Sequence, residues 1–373
     1  MDLSEYRSNF PVTEKRIHFN HAVASPVCLP VMNAVERFLK ESSEFDMGLI
    51  GEWTGRIQKV REKAALFMGA RDSEIAFIRS TAHGLSLIAQ GLDWKDGDNM
   101  VTASCEFPSN IYPWMNLNRR GVETRMVDPR DGEIHLDDIR EKVDARTRLV
   151  SLSWVEYQNG FRNDLEEIGS FCRGKGIYFC VDGIQGAGAL PLNLHALPVD
   201  FFSAGGHKWL LAPVGVGCLY VSERVMERVH PVIVGWHSVK HAGNFANLDF
   251  TLREDARKFE EGSSSMMGIF ALGAAVDLLL EAGAHRIWEK IRALHDHAIE
   301  GLKQKGYEIL SPLRQGNRSG ILTFGSRRHA PEKIFERLTE AHVVAALRGG
   351  GIRISPHFYN TVEEVDRMLE VLL

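Results

Sequence analysis

The chain has 373 residues, 44% of them hydrophobic and 25% charged, with a formal net charge of -5. This is the composition of a folded globular protein long enough for two domains, and its mild acidity gives no reason to expect nucleic acid or an anionic membrane as a partner. No apolar run approaches the ~20 residues of a bilayer span, and the charged opening MDLSEYRSNFPVTEKR lacks the apolar core of a secretory signal, so a cytoplasmic location is expected. The five cysteines, Cys28, Cys105, Cys172, Cys180 and Cys218, are widely spaced and form no C-x-x-C pair. Neither a disulfide framework nor a structural zinc site is expected, and no other residues show metal-ligand spacing.

Between about 55 and 222, short β-rich runs alternate with helical stretches. A helix near 55–68 leads to EIAFIRS (74–80), which is followed by the helical AHGLSLIAQGL. Next come DNMVTASCEF (98–107), a helix near 109–119, VETRMVD (122–128), LDDIREKV (136–143) and TRLVSLSW (147–154). A helix over LEEIGSFCRGKG precedes IYFCVDG (177–183), and GVGCLYVSE (215–223) reads as one more strand, antiparallel to the others. The alternation predicts an α/β fold around a mainly parallel sheet. After about 260, GIFALGAAVDLLLEAGAHRIWEKIRALHDHAIEGLKQKG predicts two helices, the first so apolar that it must be buried. GYEILS and SGILTFGS suggest strands, with a helix near 331–340, then GGGIRIS and a terminal helix. Thr361 and Glu364 have the spacing of a capping box at the start of that last helix. The expected division is a large domain over 16–260 and a smaller α+β domain made of 1–15 and 261–373, the connecting helices included.

Open α/β sheets bind ligands at the carboxyl ends of their strands. The reactive residues expected there are Asp182 after IYFCV, Lys208 after DFFSAGGH, Thr81 and Ala82 after EIAFIRS, and Glu106 and Phe107 after VTASC. Gly183, Gly186 and Gly188 are spaced G-x-x-G-x-G, which is only loosely a dinucleotide fingerprint. Together these residues fit one chemistry. A lysine amine can form a Schiff base with an aldehyde cofactor, a carboxylate can keep a pyridine nitrogen protonated, and a helix N-terminus can take a phosphate. Those are the needs of pyridoxal 5'-phosphate (PLP).

VDGIQGAG, with GGHKW placing its lysine 26 residues after Asp182, resembles the class V aminotransferase superfamily. That group includes cysteine desulfurases, selenocysteine lyases, kynureninases and isopenicillin N epimerase-like enzymes. FNHAVASP (19–26), EFPSNIYPW (106–114), FEEGSSS (259–265) and IRISPHFYNT (352–361) match it in the same order, and HKWLLAPVGVG is closest to the epimerase-like branch. The resemblance implies the type I fold of PLP-dependent transferases, with a seven-stranded sheet in the large domain. It makes Lys208 the Schiff-base lysine, Asp182 the partner of the pyridine nitrogen, Gln185 a donor to the phenolic oxygen and Phe107 the ring stacked on the cofactor. Thr81, Ala82 and His207 would bind the phosphate. Ser263 would reach it from the neighbouring subunit of a homodimer with shared active sites. Arg353 would pair with the carboxylate of a small amino-acid substrate, and His21 lies in a segment that approaches the same place. Three positions depart from the pattern: Ala82 replaces a threonine, Gly205 a phosphate-binding serine, and Tyr157 falls near an asparagine position.

A protein of this kind acts at the α-carbon, as an aminotransferase or as a lyase or epimerase. In the desulfurases a persulfide-forming cysteine lies shortly before the substrate arginine; here that segment is AHVVAALRGGGIRIS, without cysteine. A desulfurase-like C–S lyase lacking that cysteine remains an alternative. So, from a different class, does a catalytically inactive dimeric binding protein, although binding alone gives no reason for the Lys208–Asp182 pair.

Overall fold

A computed structural model describes residues 3–373. After β1 (Ile17–His18) come α1 (Leu29–Phe45) and α2 (Ile50–Met68), then β2 (Ile75–Ile78), α3 (Thr81–Gly91), β3 (Asn99–Ala103), α4 (Tyr112–Met115) and β4 (Glu123–Val127). α5 (Leu136–Lys142), β5 (Thr147–Ser153), α6 (Leu165–Lys175), β6 (Tyr178–Asp182), β7 (Phe201–Gly205) and β8 (Gly217–Val221) complete the large sheet and its helices. Its seven strands lie in the order β2-β8-β7-β6-β5-β3-β4, and β8 alone runs antiparallel, pairing with β7 and β2. β3 and β7 are buried along their whole length, as strands of a parallel sheet covered on both faces are.

The helix expected over 109–119 is broken up. Pro108 and Pro113 deny it backbone donors, leaving the single turn of α4 between two 3-10 turns, Pro108–Asn110 and Asn116–Arg120. The helix before β2 starts at Ile50 rather than near 55. The glycines after Asp182 serve the loop, not a nucleotide. Gly188 has φ +104, and a Cβ there would lie 2.1 Å from the Trp209 carbonyl.

The outer edge of β2 is covered rather than left open. Glu260 accepts the Phe77 N–H at 2.8 Å and pairs with Arg61 at 2.6 and 3.0 Å, while Arg61 also donates to the Ile75 carbonyl. All this is buried, and breaking such a pair typically costs about 3–5 kcal/mol. It fixes β2 and therefore the start of α3.

The remaining elements are α7 (Met266–Ala282), α8 (Ala284–Gln304), β9 (Glu308–Ile309), β10 (Leu322–Gly325), α9 (Pro331–Glu340), β11 (Val343–Val344), β12 (Ala346–Arg348), β13 (Gly351–Ile354) and α10 (Val362–Val371). Thr361 and Glu364 close the capping box on α10. β12-β13-β10-β9 form an antiparallel sheet. β1 pairs in parallel with β11, and Ile17 and Phe19 share a core with Leu294, Phe324 and Ile352. α7, apolar but for Asp277 and Glu281, packs into the core of the large sheet, where Ile269, Leu272 and Val276 join Val60 and Val216. Among the described residues no single helix is long and apolar enough to cross a membrane.

Candidate active site

The carboxyl ends of β2, β3, β5, β6 and β7 open on one cavity of about 250 Å³. Lys208, Asp182, Gln185 and His207 line it, together with Thr81, Ala82, Phe107 and Arg353.

Lys208 sits in a tight turn after β7. The turn is closed by the Ala212 N–H on the Gly206 carbonyl at 2.9 Å and the Leu211 N–H on the Lys208 carbonyl at 3.1 Å. Trp209 goes into the core, fully buried, and its indole N–H donates to Gln185 Oε1 at 3.0 Å. This fixes the Gln185 amide: Nε2 donates one hydrogen to the Ala22 carbonyl at 3.0 Å and keeps a second for a ligand. Burial pushes the Lys208 amine down to about 8; Asp182 opposes the shift, and Arg353 and Arg348 add to it. Asp182 ends β6, buried, with Oδ1 accepting the Ile184 N–H at 3.0 Å. Burial raises its carboxyl to about 6, against the pull of that N–H and of Lys208.

The N-terminus of α3 is the anion-binding corner. Ser80 caps the helix, taking the His83 N–H on its hydroxyl and the Gly84 N–H on its carbonyl, both at 3.2 Å. The first two amides, of Thr81 and Ala82, remain for a ligand. Thr81 Oγ1 accepts the Gly205 N–H at 2.9 Å, so its own hydrogen is free to donate outward. A Cβ on Gly205 would lie 3.2 Å from that oxygen and 3.4 Å from His207 Nδ1, so the missing side chain keeps the corner open. Ser203, on the same strand, does not replace the absent serine: its hydroxyl is spent on the Thr81 carbonyl at 3.0 Å. It lies against Gly84, where a Cβ would come within 2.3 Å of Ser203 Oγ. Burial and the neighbouring Lys208 charge both lower the pKa of His207.

Phe107 is 45% exposed, with its ring centre 5.8 Å from Lys208 Nζ and edge-on to Tyr157 at 5.3 Å. Arg353 lies in β13, only 1% exposed; Nη1 donates to the Tyr157 carbonyl and Nε has no partner. Burial, reinforced by Arg348, lowers it to about 10.

Three expected residues, His21, Ser263 and Glu106, are not on this wall. His21 is fully buried behind it, with Nδ1 against the Ser355 carbonyl and Nε2 against the Tyr359 hydroxyl, both at 3.0 Å. With both ring nitrogens engaged, it ties the N-terminal segment to the end of the chain, and its reading as a substrate contact is withdrawn. Ser263 is exposed on a loop, in the left-handed region at φ 47, and does not line the cavity. Ser153, by contrast, lines the cavity without having been expected there. It ends β5 directly opposite Asp182, so the strand-end rule that singles out Asp182 applies to it equally. Glu106 proves to be its holder, accepting the Ser153 N–H and hydroxyl, each at 2.5 Å.

None of the cysteines lines the cavity. Four are buried and Cys105 is half-buried, its thiol directed at Glu156 Oε2 at 3.6 Å; burial holds all five above the ordinary thiol range. These surroundings disfavour a thiolate.

The donor set fits PLP. The α3 corner offers uncommitted N–H and O–H groups to a phosphate, Asp182 a carboxylate to a ring nitrogen, Lys208 an amine to an aldehyde and Phe107 a face to the ring. A family model described as Aminotransferase class-V matches residues 17–368. A probable cysteine desulfurase of Methanothermobacter thermautotrophicus is 29% identical, over 100% of this chain and 98% of its own. A cysteine desulfurase structure from Thermococcus onnurineus superposes with a TM-score of 0.89 at 26% identity, covering 98% of this chain and 96% of that one. The structure of a lysine-to-alanine mutant of C-DES, with glycine covalently linked to its PLP, gives 0.90 at 24% identity over 98% of both chains. A fold, a cavity and a family match spanning nearly the whole sequence agree, and the chain belongs to the class-V aminotransferase family of PLP-dependent enzymes.

Proposed function

We propose that this enzyme acts at the α-carbon of a small amino acid with Lys208 as the reacting amine, and that it does so without an enzyme-bound persulfide. One observation carries the reading: a half-buried amine and a buried carboxylate line a single cavity whose wall contains no thiol. When bound, the cofactor supplies an electron-withdrawing ring that labilises bonds at the substrate's α-carbon. In this reading Thr81, Ala82 and His207 hold the phosphate, Gln185 and Phe107 orient the ring, and Asp182 keeps a proton on the ring nitrogen. Arg353 orients the substrate carboxylate through its unpaired guanidinium edge, and Lys208 moves the proton at the α-carbon.

A second reading compatible with this site is C–S bond cleavage with free release of sulfur. Another C-DES structure, at 24% identity, is that of a cystine C–S lyase with cysteine persulfide as its product. The experiment is to incubate the holoenzyme with a panel of L-amino acids and cystine, scoring oxo acid, ammonia, sulfide and α-deuterium exchange separately. The reading expects at least one of these signals, with no sulfur left on the protein. Persulfide found by mass spectrometry on any of the five cysteines would overturn the second half of it. Ser263 belongs to the phosphate site of a second copy in this reading, and sedimentation showing only monomer would contradict that part.

The lowered Lys208 pKa makes a separate prediction about cofactor uptake. Only the neutral amine attacks an aldehyde. With the amine at about 8, roughly a tenth of it is neutral at pH 7, against less than about one part in a thousand for an ordinary lysine. The rate of PLP uptake by the apoprotein should therefore rise about tenfold per pH unit up to about pH 8 and then level off. A rise that continues at the same slope beyond pH 9 would show an ordinary lysine.

A further inference from the structure

We infer, resting on the functional reading above, that the cavity selects an amino acid whose side chain ends in a second carboxylate, with Arg348 as that group's partner. β12 and β13 are joined by Gly349 and Gly350, at φ 58 and 75, in a two-residue hairpin turn of the kind that matches strand twist. The register pairs Arg348 with Gly351 and Ala346 with Arg353. Directly opposed residues share a face and so do alternate ones, which puts Arg348 and Arg353 diagonally on one face, about 7–8 Å apart at the backbone. Both line the cavity.

Two guanidinium groups on one face repel each other, and among the described residues neither has a carboxylate within 4.0 Å. Arg348 Nη1 is braced on the Leu347 carbonyl at 2.9 Å, which limits the guanidinium's freedom to turn away from its own strand. The mutual effect is visible in Arg353, whose lowered pKa owes its second-largest part to Arg348. A phosphate is already provided for at the α3 corner, and one substrate carboxylate answers only Arg353. Arg348, exposed and without a carboxylate partner among the described residues, is available for a second anion on the same molecule. The crossed rings of Phe107 and Tyr157 occupy part of the cavity wall, which favours a short side chain of aspartate or glutamate length.

The test uses unreactive acids bound to the holoenzyme and measured by calorimetry, so that it reads binding rather than turnover. Succinate should bind at least about tenfold more tightly than succinamate, which has the same shape with one carboxylate replaced by an amide. In Arg348→Gln that ratio should fall to within about twofold. Arg353→Gln should weaken both acids together. Equal binding of succinate and succinamate to the wild type would overturn the inference while leaving the functional reading intact. So would an Arg348→Gln variant that weakens both acids equally, since Arg348 would then serve the common carboxylate. Failure of a PLP-loaded enzyme to bind either acid would overturn the functional reading as well.

Discussion

Lys208→Ala is expected to lower turnover by on the order of 10³–10⁴-fold and to leave the fold intact. In the proposed reading the side chain supplies both the amine that engages the cofactor and the base nearest the α-carbon, so its loss removes both roles at once. Nothing nearby substitutes. His207, the next residue, has its pKa lowered by burial, and no other lysine lines the cavity. Folding should be untouched because the turn around Lys208 is held by backbone bonds and by the buried Trp209, not by the amine. Steady-state rates beside far-ultraviolet circular dichroism check both halves. A folded alanine variant that kept even a few per cent of wild-type activity would contradict the assignment.

Asp182→Asn is expected to reduce turnover by on the order of 10²–10³-fold while making the apoprotein more stable at neutral pH. The amide keeps an oxygen for the Ile184 N–H but cannot hold a proton on a ring nitrogen. The stability gain follows from linkage. Asp182 has a folded-state pKa of about 6, above its value of 3.8 in an unfolded chain. The folded state therefore binds this proton more tightly, and stability is lost as pH rises from about 4 through about 6. At pH 7 the ionised, buried carboxylate costs on the order of 2–3 kcal/mol, which the amide removes. Glu106, raised to about 7 chiefly by burial, acts in the same direction one step higher in pH. Urea unfolding of the two apoproteins at pH 5 and pH 8 measures the difference. The variant should gain more at pH 8, and an equal or reversed gain would show that Asp182 is not strained by its burial.

The parts of the site that could be read in the sequence are those that local pattern decides. Lys208 and Asp182 follow short apolar strands, and the carboxyl ends of parallel strands share one edge, so order along the chain places them together. The Thr81 corner was legible for the same reason, because the strand run ending at Ile78 leads through the cap Ser80 into a helix starting at Thr81. His21 was not legible. Its neighbours along the chain say nothing of Ser355 and Tyr359, which lie 334 and 338 residues away and take up both its ring nitrogens. The strand pairing of Ile17 was hidden for the same reason, since its partner is Val343. α1 escaped notice although Val31, Val35 and Phe38 recur along it at helical spacing. The helix over 109–119 was misjudged for a local reason, the weight that two prolines carry in so short a segment. Ser153 was missed although the rule for finding it was in hand.

The central claim is that Lys208 carries the cofactor. Borohydride reduction of the PLP-loaded protein, followed by peptide mass spectrometry, tests it most directly. The account predicts one pyridoxyl-modified peptide, the one containing Gly205-Gly206-His207-Lys208-Trp209. Modification of a different lysine, or none at all in protein exposed to excess PLP, would contradict it.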